Sequence, residues 1–355
     1  MGTLQLVAFV WAQALLPTTW VNTFDRVYPS TLKCEVSPAP PYLNFGFRFQ
    51  SGYFFSVPLN QLLGAGHRLA IVTKVTPEQG PPVFFGQGFD LPVIPKTNQS
   101  IETGGGYLLG EGRYKVDWLL YDEQGRACRR SWTTKVALNR ADRKIKLAIP
   151  PNTAAEFSLR GLQPQSIQVK PGGPLTVFLN AAPLSLRRTR LRPSDEMMLV
   201  GALSSLLERL GPRPVKLVVF NLDKRQELFR REDFRPADLN QVGDAISKLE
   251  LGLVDYQVLQ KPKGHVEFLA DLLNQEANTE TVVLLGPTTR YFEKMPAEKL
   301  EKGSARLFNL QFLPFLRAGV PFPDIIDSAV RRRKGKSLLL RTPADFARAI
   351  EALQR

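Results

Sequence analysis

The spacing of apolar residues in the first part of the chain predicts β-structure. Short runs of alternating apolar and polar residues occur between Leu32 and about Pro150, and this period of two is typical of half-buried strands. The predicted strands are FGFRF (45–49), YFFSV (53–57), RLAIVTKV (68–75) and YKVDWLLY (114–121). The predicted turns are PEQGPP (77–82), GGG (104–106) and DEQG (122–125). We therefore expect an all-β sandwich of immunoglobulin-like type over residues 32–150, with a small barrel as the alternative.

From about residue 160 to the C-terminus the pattern changes, after a short predicted linker at 150–152. Continuous apolar runs predict strands covered on both faces, and apolar residues three or four apart predict helices between them. The predicted strands are 175–180, 215–222, 281–285, 307–312 and 337–340. The predicted helices are one with Ser194 as N-cap, then 237–249, 266–273, 325–331, and a last one with Thr342 as N-cap and Pro343 at its first position. Alternating strands and helices indicate a doubly wound α/β domain with a mainly parallel sheet over residues 160–355.

Length and charge refine this division. A chain of 355 residues fits about two domains, and a formal charge of +14 favours anionic partners at low salt. Part of the charge lies in two clusters: Arg187, Arg188, Arg190 and Arg192, and Arg331, Arg332, Arg333 and Lys334. Each cluster is interpreted either as a patch for an anionic surface or as a solvated loop or helix end. Neither contains the interleaved aromatic residues that single-stranded nucleic acid would require, so nucleic acid is not the expected partner.

The N-terminal residues and the two cysteines suggest export. An apolar run from Leu4 to Trp11 is followed by Ala12-Gln13-Ala14, which predicts a signal peptide over residues 1–14 and a periplasmic or extracellular location. A buried N-terminal strand is the alternative. Cys34 and Cys128 are predicted to form a disulfide in an oxidising compartment. No run of eighteen apolar residues occurs, so we expect no transmembrane span.

Three segments of the second part carry a resemblance to a known family. LTVFLNAAPLS at 175–185, KLVVFNL at 216–222 and TVVLLGP at 281–287, in this order, resemble a von Willebrand factor A-like domain. The whole chain resembles acidobacterial secreted or envelope proteins that join a β-rich region to such a domain. The narrower resemblance rests on GGGYLLGEGRYKVDWLLYDEQGRACRRSW and LVDYQVLQKPKGHVEFLADLLNQE.

The resemblance implies a fold but not the metal site of the family. Metal-binding members end the first strand in D-x-S-x-S and supply another aspartate from a later strand. The matching positions here are Asn180, Ala182, Leu184 and Gly286, which provide too few oxygen ligands for magnesium or calcium. We therefore expect neither a metal ion nor another cofactor.

The same strand ends offer a different kind of site. Asn180, Ser185, Thr288, Thr289 and Arg290 are candidates for holding a carboxylate or a backbone loop of a partner protein, and the alternative is an ordinary loop cluster.

No nucleophile, base and oxyanion group can be named together, so no catalytic residue is assigned. The sequence thus favours a non-enzymatic protein-protein interaction module of the cell envelope. A binder of polyanions or anionic surfaces is the alternative, followed by an enzyme with an unrecognised carboxylate site.

Overall fold

The chain folds into two compact units, Met1–Gly161 and Leu162–Arg355. The computed structural model describes residues 14–16, 24–26, 28, 31–64, 66–157, 172–185, 191–252, 260–261, 263–313 and 323–354. The first unit is rich in β-strands and the second contains a mixed sheet with helices. The expectation of an all-β region followed by an α/β region is confirmed at this level.

Two antiparallel sheets form the first unit. One has the strand order β1-β5-β4-β7-β8 and the other β2-β3-β6-β9. The strands are β1 (Ala14–Leu15), β2 (Glu35–Leu43), β3 (Phe49–Pro58), β4 (Arg68–Pro77), β5 (Val83–Asp90), β6 (Ser100–Leu109), β7 (Gly112–Asp122), β8 (Ala127–Val136) and β9 (Ala154–Glu156). Of the predicted signal peptide, residues 1–13 lie outside the described residues, and Ala14 pairs with Gly86 of β5.

Aromatic side chains from both sheets fill the core of the first unit. Tyr53 and Phe55 of β3 lie 5.5 Å and 5.4 Å, centroid to centroid, from Trp118 of β7. Phe85 of β5 stacks on Tyr107 of β6 at 5.9 Å. Because all five side chains are almost completely buried, the aromatic-rich sequence here builds the core of a two-layer structure.

The predicted disulfide between Cys34 and Cys128 is present. Cys34 directly precedes β2 of one sheet and Cys128 lies on β8 of the other, with Cα atoms 6.2 Å apart. The bond therefore links the two sheets across 94 residues of sequence.

Two of the predicted strand and turn assignments in this unit are wrong. GGG at 104–106 lies inside β6, where glycine permits close strand packing: a Cβ on Gly104 would be 2.5 Å from the Tyr53 carbonyl oxygen. FGFRF at 45–49 forms a turn up to Phe49, because the Asn44 side chain accepts hydrogen bonds from the backbone of Gly46 and Arg48.

The predicted linker is also part of the first unit. The Asn152 amide donates to the Glu111 carbonyl at 2.8 Å, and Gly110 packs so closely on Pro150 that a Cβ there would be 1.8 Å from the Pro150 oxygen. β9 then pairs with β6. The β-structure thus extends beyond residue 150.

The second unit has one six-stranded sheet of order β12-β11-β10-β13-β14-β15. Its strands are β10 (Leu175–Asn180), β11 (Val215–Asn221), β12 (Gln226–Arg231), β13 (Thr281–Pro287), β14 (Arg306–Phe312) and β15 (Lys336–Leu340). Its helices are α1 (Pro193–Leu210), α2 (Leu239–Ser247), α3 (Gly264–Gln275), α4 (Ile325–Arg332) and α5 (Pro343–Leu353). Only β12 among these strands runs antiparallel to its neighbour. Every residue of the central strands β10 and β13 is buried, as their continuous apolar sequences predict.

Local chemistry explains where the predictions for this unit succeed and fail. β12 was not predicted because QELFRR is a polar, half-exposed edge strand without an apolar run. α1 begins at Pro193, so Ser194 lies inside the helix and is not its N-cap, and the Asp195 carboxylate accepts from the Arg192 amide at 3.0 Å. α5 begins as predicted, with a capping box between Thr342 and Asp345. Among the helices that the structure describes, none combines the length and the apolar sequence that a membrane-spanning helix needs.

Replacing Cys34 and Cys128 with serine should destabilise the first unit. The bond restricts the unfolded chain over a long loop, so the free energy of unfolding should fall by about 2–5 kcal/mol. Denaturant titration of the oxidised protein, of the reduced protein and of the double serine variant measures the change. Equal stability of all three would contradict a structural role for the bond.

Candidate functional site

The candidate site lies where the strand order of the second unit reverses. In chain order the sheet reads 3-2-1-4-5-6, so the connections after β10 and β13, which are adjacent strands, depart in opposite directions. A narrow cleft at these strand ends has a water-accessible volume of about 20 Å³, roughly enough for one water molecule. Its lining residues are Asn180, Ala182, Pro183, Ser185, Leu222, Asp223, Thr288, Thr289 and Arg290.

Buried polar atoms without partners distinguish this cleft. Asn180, the last residue of β10, is only 2% exposed, and neither its Nδ2 nor its Oδ1 has a hydrogen-bond partner among the described residues. The Oγ1 atom of Thr288, a residue only 8% exposed, is in the same state. Buried polar atoms are nearly always hydrogen-bonded in folded proteins, so this group of three atoms points to a ligand or ordered water.

Gly286 on β13 holds Asn180 in place by close packing. A Cβ at Gly286 would lie 2.7 Å from the Asn180 Cβ and 3.0 Å from its carbonyl oxygen. The absence of a side chain at Gly286 therefore admits the neighbouring strand.

An asparagine and an ion pair order the loop after β11 against the other two loops. Asn221 donates from Nδ2 to the Ala181 carbonyl at 2.6 Å and accepts from the Lys224 amide at 2.8 Å. Asp223 then pairs with Arg290 at 3.0 Å, which joins this loop to the one after β13. The Asp223 carboxylate is thus already engaged by a cation.

A second carboxylate, Asp324, holds the loop after β13 in place. It is the N-cap of α4, and its oxygens accept from the Asp327 amide at 2.9 Å, the Thr289 amide at 2.7 Å and the Gln311 side chain at 3.0 Å. Burial raises the pKa of Asp324, while the backbone hydrogen bonds act in the opposite direction. Asp324 positions Thr289 because it accepts a hydrogen bond from the Thr289 amide. Its two oxygens are already engaged by three donors.

A histidine fixes the loop that continues from Arg290. His265 of α3 stacks on the Tyr291 ring at 3.8 Å between centroids, and its Nε2 is paired with the Glu293 carboxylate. Phe292, between these two residues in the chain, is 50% exposed. Further backbone bonds, from Ile325 to the Tyr291 carbonyl and from Met295 to the Ser328 hydroxyl, complete the attachment. His265 therefore fixes the loop in which the exposed Phe292 follows the cleft residue Arg290 by two positions.

The hydroxyl of Tyr291 keeps its proton at neutral pH. Burial raises the pKa of Tyr291 to about 12, the nearby Asp223 carboxylate adds to the rise, and Arg290 and Arg225 oppose it. Its hydroxyl stays protonated and its ring remains a neutral stacking partner for His265.

The structure brings together candidate residues that are distant from one another in sequence. All five predicted partner-contact residues, Asn180, Ser185, Thr288, Thr289 and Arg290, line the one cleft. Of the positions compared with the family's metal site, Ala182 lines it too, Gly286 packs beneath Asn180, and Leu184 is not part of the lining. The cluster of His265, Tyr291 and Glu293 was missed, because His265 and Glu293 are 28 residues apart in sequence and no local pattern joins them.

The described residues of the two basic clusters do not line the cleft. Arg187, Arg188 and Arg190 lie outside the described residues. Arg192 precedes α1 and lies 3.6 Å from Asp195. In the second cluster, Arg331 pairs with Asp327 at 2.8 Å, Arg333 donates to the Leu273 and Glu301 carbonyls, and Arg332 and Lys334 are exposed. Anionic-surface binding stays a prediction.

Comparisons with known proteins do not assign the chain to a family. The sequence matches no protein-family model and no curated protein. One similar solved structure is described as a putative ApaA protein from Bordetella pertussis, with 12% identity, a TM-score of 0.21, and coverage of 32% of this chain and 100% of that one. Another is a Bacteroides uniformis β-glucuronidase with 9% identity, a TM-score of 0.22, and coverage of 79% of this chain and 36% of that one.

Substituting Gly286 with alanine should disturb the cleft. The added methyl group must displace the β10 backbone at Asn180, so we expect a loss of about 1–3 kcal/mol in the free energy of unfolding. Gly201→Ala is the matched control, because a Cβ at Gly201 of α1 meets nothing within 4 Å and alanine favours a helix. Chemical denaturation of both variants tests this; equal stability of Gly286→Ala and the wild type would refute the packing argument.

Proposed function

We propose that the second unit is a von Willebrand factor A-like interaction module that binds another protein, without a metal ion, at the cleft between β10 and β13. The strand order and the antiparallel edge strand β12 support a doubly wound architecture of this kind. LTVFLNAAPLS supports the family resemblance, because this segment forms the central strand and the first loop of the cleft.

The observation that carries the proposal is the rigid presentation of Arg290 and Phe292 beside the cleft. The Arg290 side chain is 44% exposed and Phe292 is 50% exposed. Arginine and aromatic residues are enriched among the residues that dominate binding energy at protein interfaces. Because the loop is already fixed by His265, Asp223 and Asp324, a partner would lose little free energy in ordering it.

The donor atoms at the strand ends support binding without a metal. A hard divalent cation needs several oxygen ligands, whereas Ala182 and Gly286 provide no side-chain oxygen. Asp223 and Asp324, the two carboxylates that approach from other elements, are engaged by Arg290 and by three hydrogen-bond donors. We assign no reaction to the unit, and His265, the one histidine in its sequence, is only 4% exposed.

We further propose that the first unit is an immunoglobulin-like sandwich and that the protein acts in the cell envelope. Its two sheets with a shared aromatic core support the first point. The disulfide between Cys34 and Cys128 supports the second, because such bonds persist in oxidising compartments.

Site-directed photocrosslinking tests the proposed interface. A benzophenone side chain at Phe292 should yield a discrete protein adduct in an envelope extract of the native host. The same group at Leu339, which is 37% exposed on β15 of the same unit, is the control and should yield none. Arg290→Ala should reduce the adduct at 292 by about tenfold or more, as loss of an interface hot spot would. No adduct at 292, or equal adducts at both positions, would contradict the proposal.

A further inference from the structure

The unpartnered polar atoms of the cleft include both hydrogen-bond donors and an acceptor. This combination limits which ligands could satisfy all of them. Asn180 lacks a partner for both Nδ2 and Oδ1 among the described residues, and Thr288 lacks one for Oγ1. An asparagine amide donates from nitrogen and accepts at oxygen, and a hydroxyl does both. If Nδ2 and Oδ1 of Asn180 exchange places, one donor and one acceptor still lack partners, since both atoms are unpartnered.

Charged groups meet this need only in part. A carboxylate accepts hydrogen bonds but donates none, so it would leave the Asn180 oxygen unsatisfied. An ammonium or guanidinium group only donates, so it would leave the nitrogen unsatisfied. The fixed charges of the lining are already balanced, because Arg290 is paired with Asp223 at 3.0 Å. A neutral group that both donates and accepts is therefore the best match.

The size of the cleft narrows the choice further. A water-accessible volume of about 20 Å³ is little more than one water molecule needs, so a group that enters can be no larger than the end of a side chain. A planar amide can pair with Asn180 through two parallel hydrogen bonds, one in each direction. It can replace a water molecule there without losing the hydrogen bonds that the water would make.

We infer that the cleft recognises a side-chain amide, Asn or Gln, of the partner protein through Asn180 and Thr288. This inference rests on the proposed function, since it names the group that the partner inserts beside Arg290 and Phe292. It replaces the carboxylate that the sequence offered as one candidate ligand.

Small-molecule probes test the inference on the full chain. The probes are acetamide, acetate and methylammonium at equal ionic strength, followed by NMR of the asparagine side-chain amides. Acetamide should shift the Asn180 signals saturably, with a dissociation constant on the order of 10–100 mM, as expected for a ligand of four non-hydrogen atoms. Acetate and methylammonium should not do so.

Asn309 provides an internal control for specificity. It is also buried, at 3% exposure, and its Nδ2 lacks a partner, but it lies on β14 and outside the cleft lining. Its signals should stay unchanged. Thr288→Val, which removes only the hydroxyl, should weaken acetamide binding by about threefold to tenfold, the effect of one hydrogen bond.

Three outcomes overturn the inference: no saturable shift at Asn180, equal shifts at Asn180 and Asn309, or tighter binding of acetate than of acetamide. A crosslinked partner at position 292 combined with any of them would leave the proposed function in place and remove only the amide as ligand. Loss of the crosslink at position 292 with intact acetamide binding would remove the proposed function and leave the amide as ligand of the cleft.

Discussion

The reversal of strand order between β10 and β13 is the constraint on which the second unit depends. Two adjacent parallel strands, buried along their whole length, must send their chains to opposite sides of the sheet, so their ends cannot cover each other. A crevice follows from the topology before any side chain is chosen. The side chains then decide what it can hold: the lining offers the amide of Asn180 and the hydroxyl of Thr288, and Gly286 packs against Asn180.

The second determinant is that polar side chains around the cleft form hydrogen bonds and ion pairs that hold its loops together. A hydrogen bond or ion pair from each of Asn221, Asp223 and Asp324 joins one loop to another. His265 does the same for the loop that exposes Phe292. Only Asn180 and Thr288 keep buried polar atoms unpartnered among the described residues of the lining, so the unused hydrogen-bonding capacity of the lining is concentrated in a few atoms.

Sequence reasoning succeeded where one residue pattern has one physical solution. Continuous apolar runs gave β10 and β13, the Thr342-Pro343 start gave α5, and the two cysteines gave the disulfide. It failed where the decisive contact is distant in sequence. The glycines of β6 are set by packing against β3, and the contact of His265 with Glu293 spans 28 residues. The edge strand β12 lacks an apolar run because one edge and much of its surface are exposed.

Calorimetric titration of the purified full chain with magnesium, calcium and manganese tests most directly whether the cleft works without a metal. With Asn180, Ala182 and Gly286 at the strand ends, and Asp223 and Asp324 engaged elsewhere, none of the three ions should produce saturable heat at micromolar to millimolar concentration. The Asn180→Asp variant, which introduces one carboxylate at the end of β10, indicates whether a single negative charge changes this. Binding of one ion per wild-type chain with micromolar affinity would contradict a metal-free site.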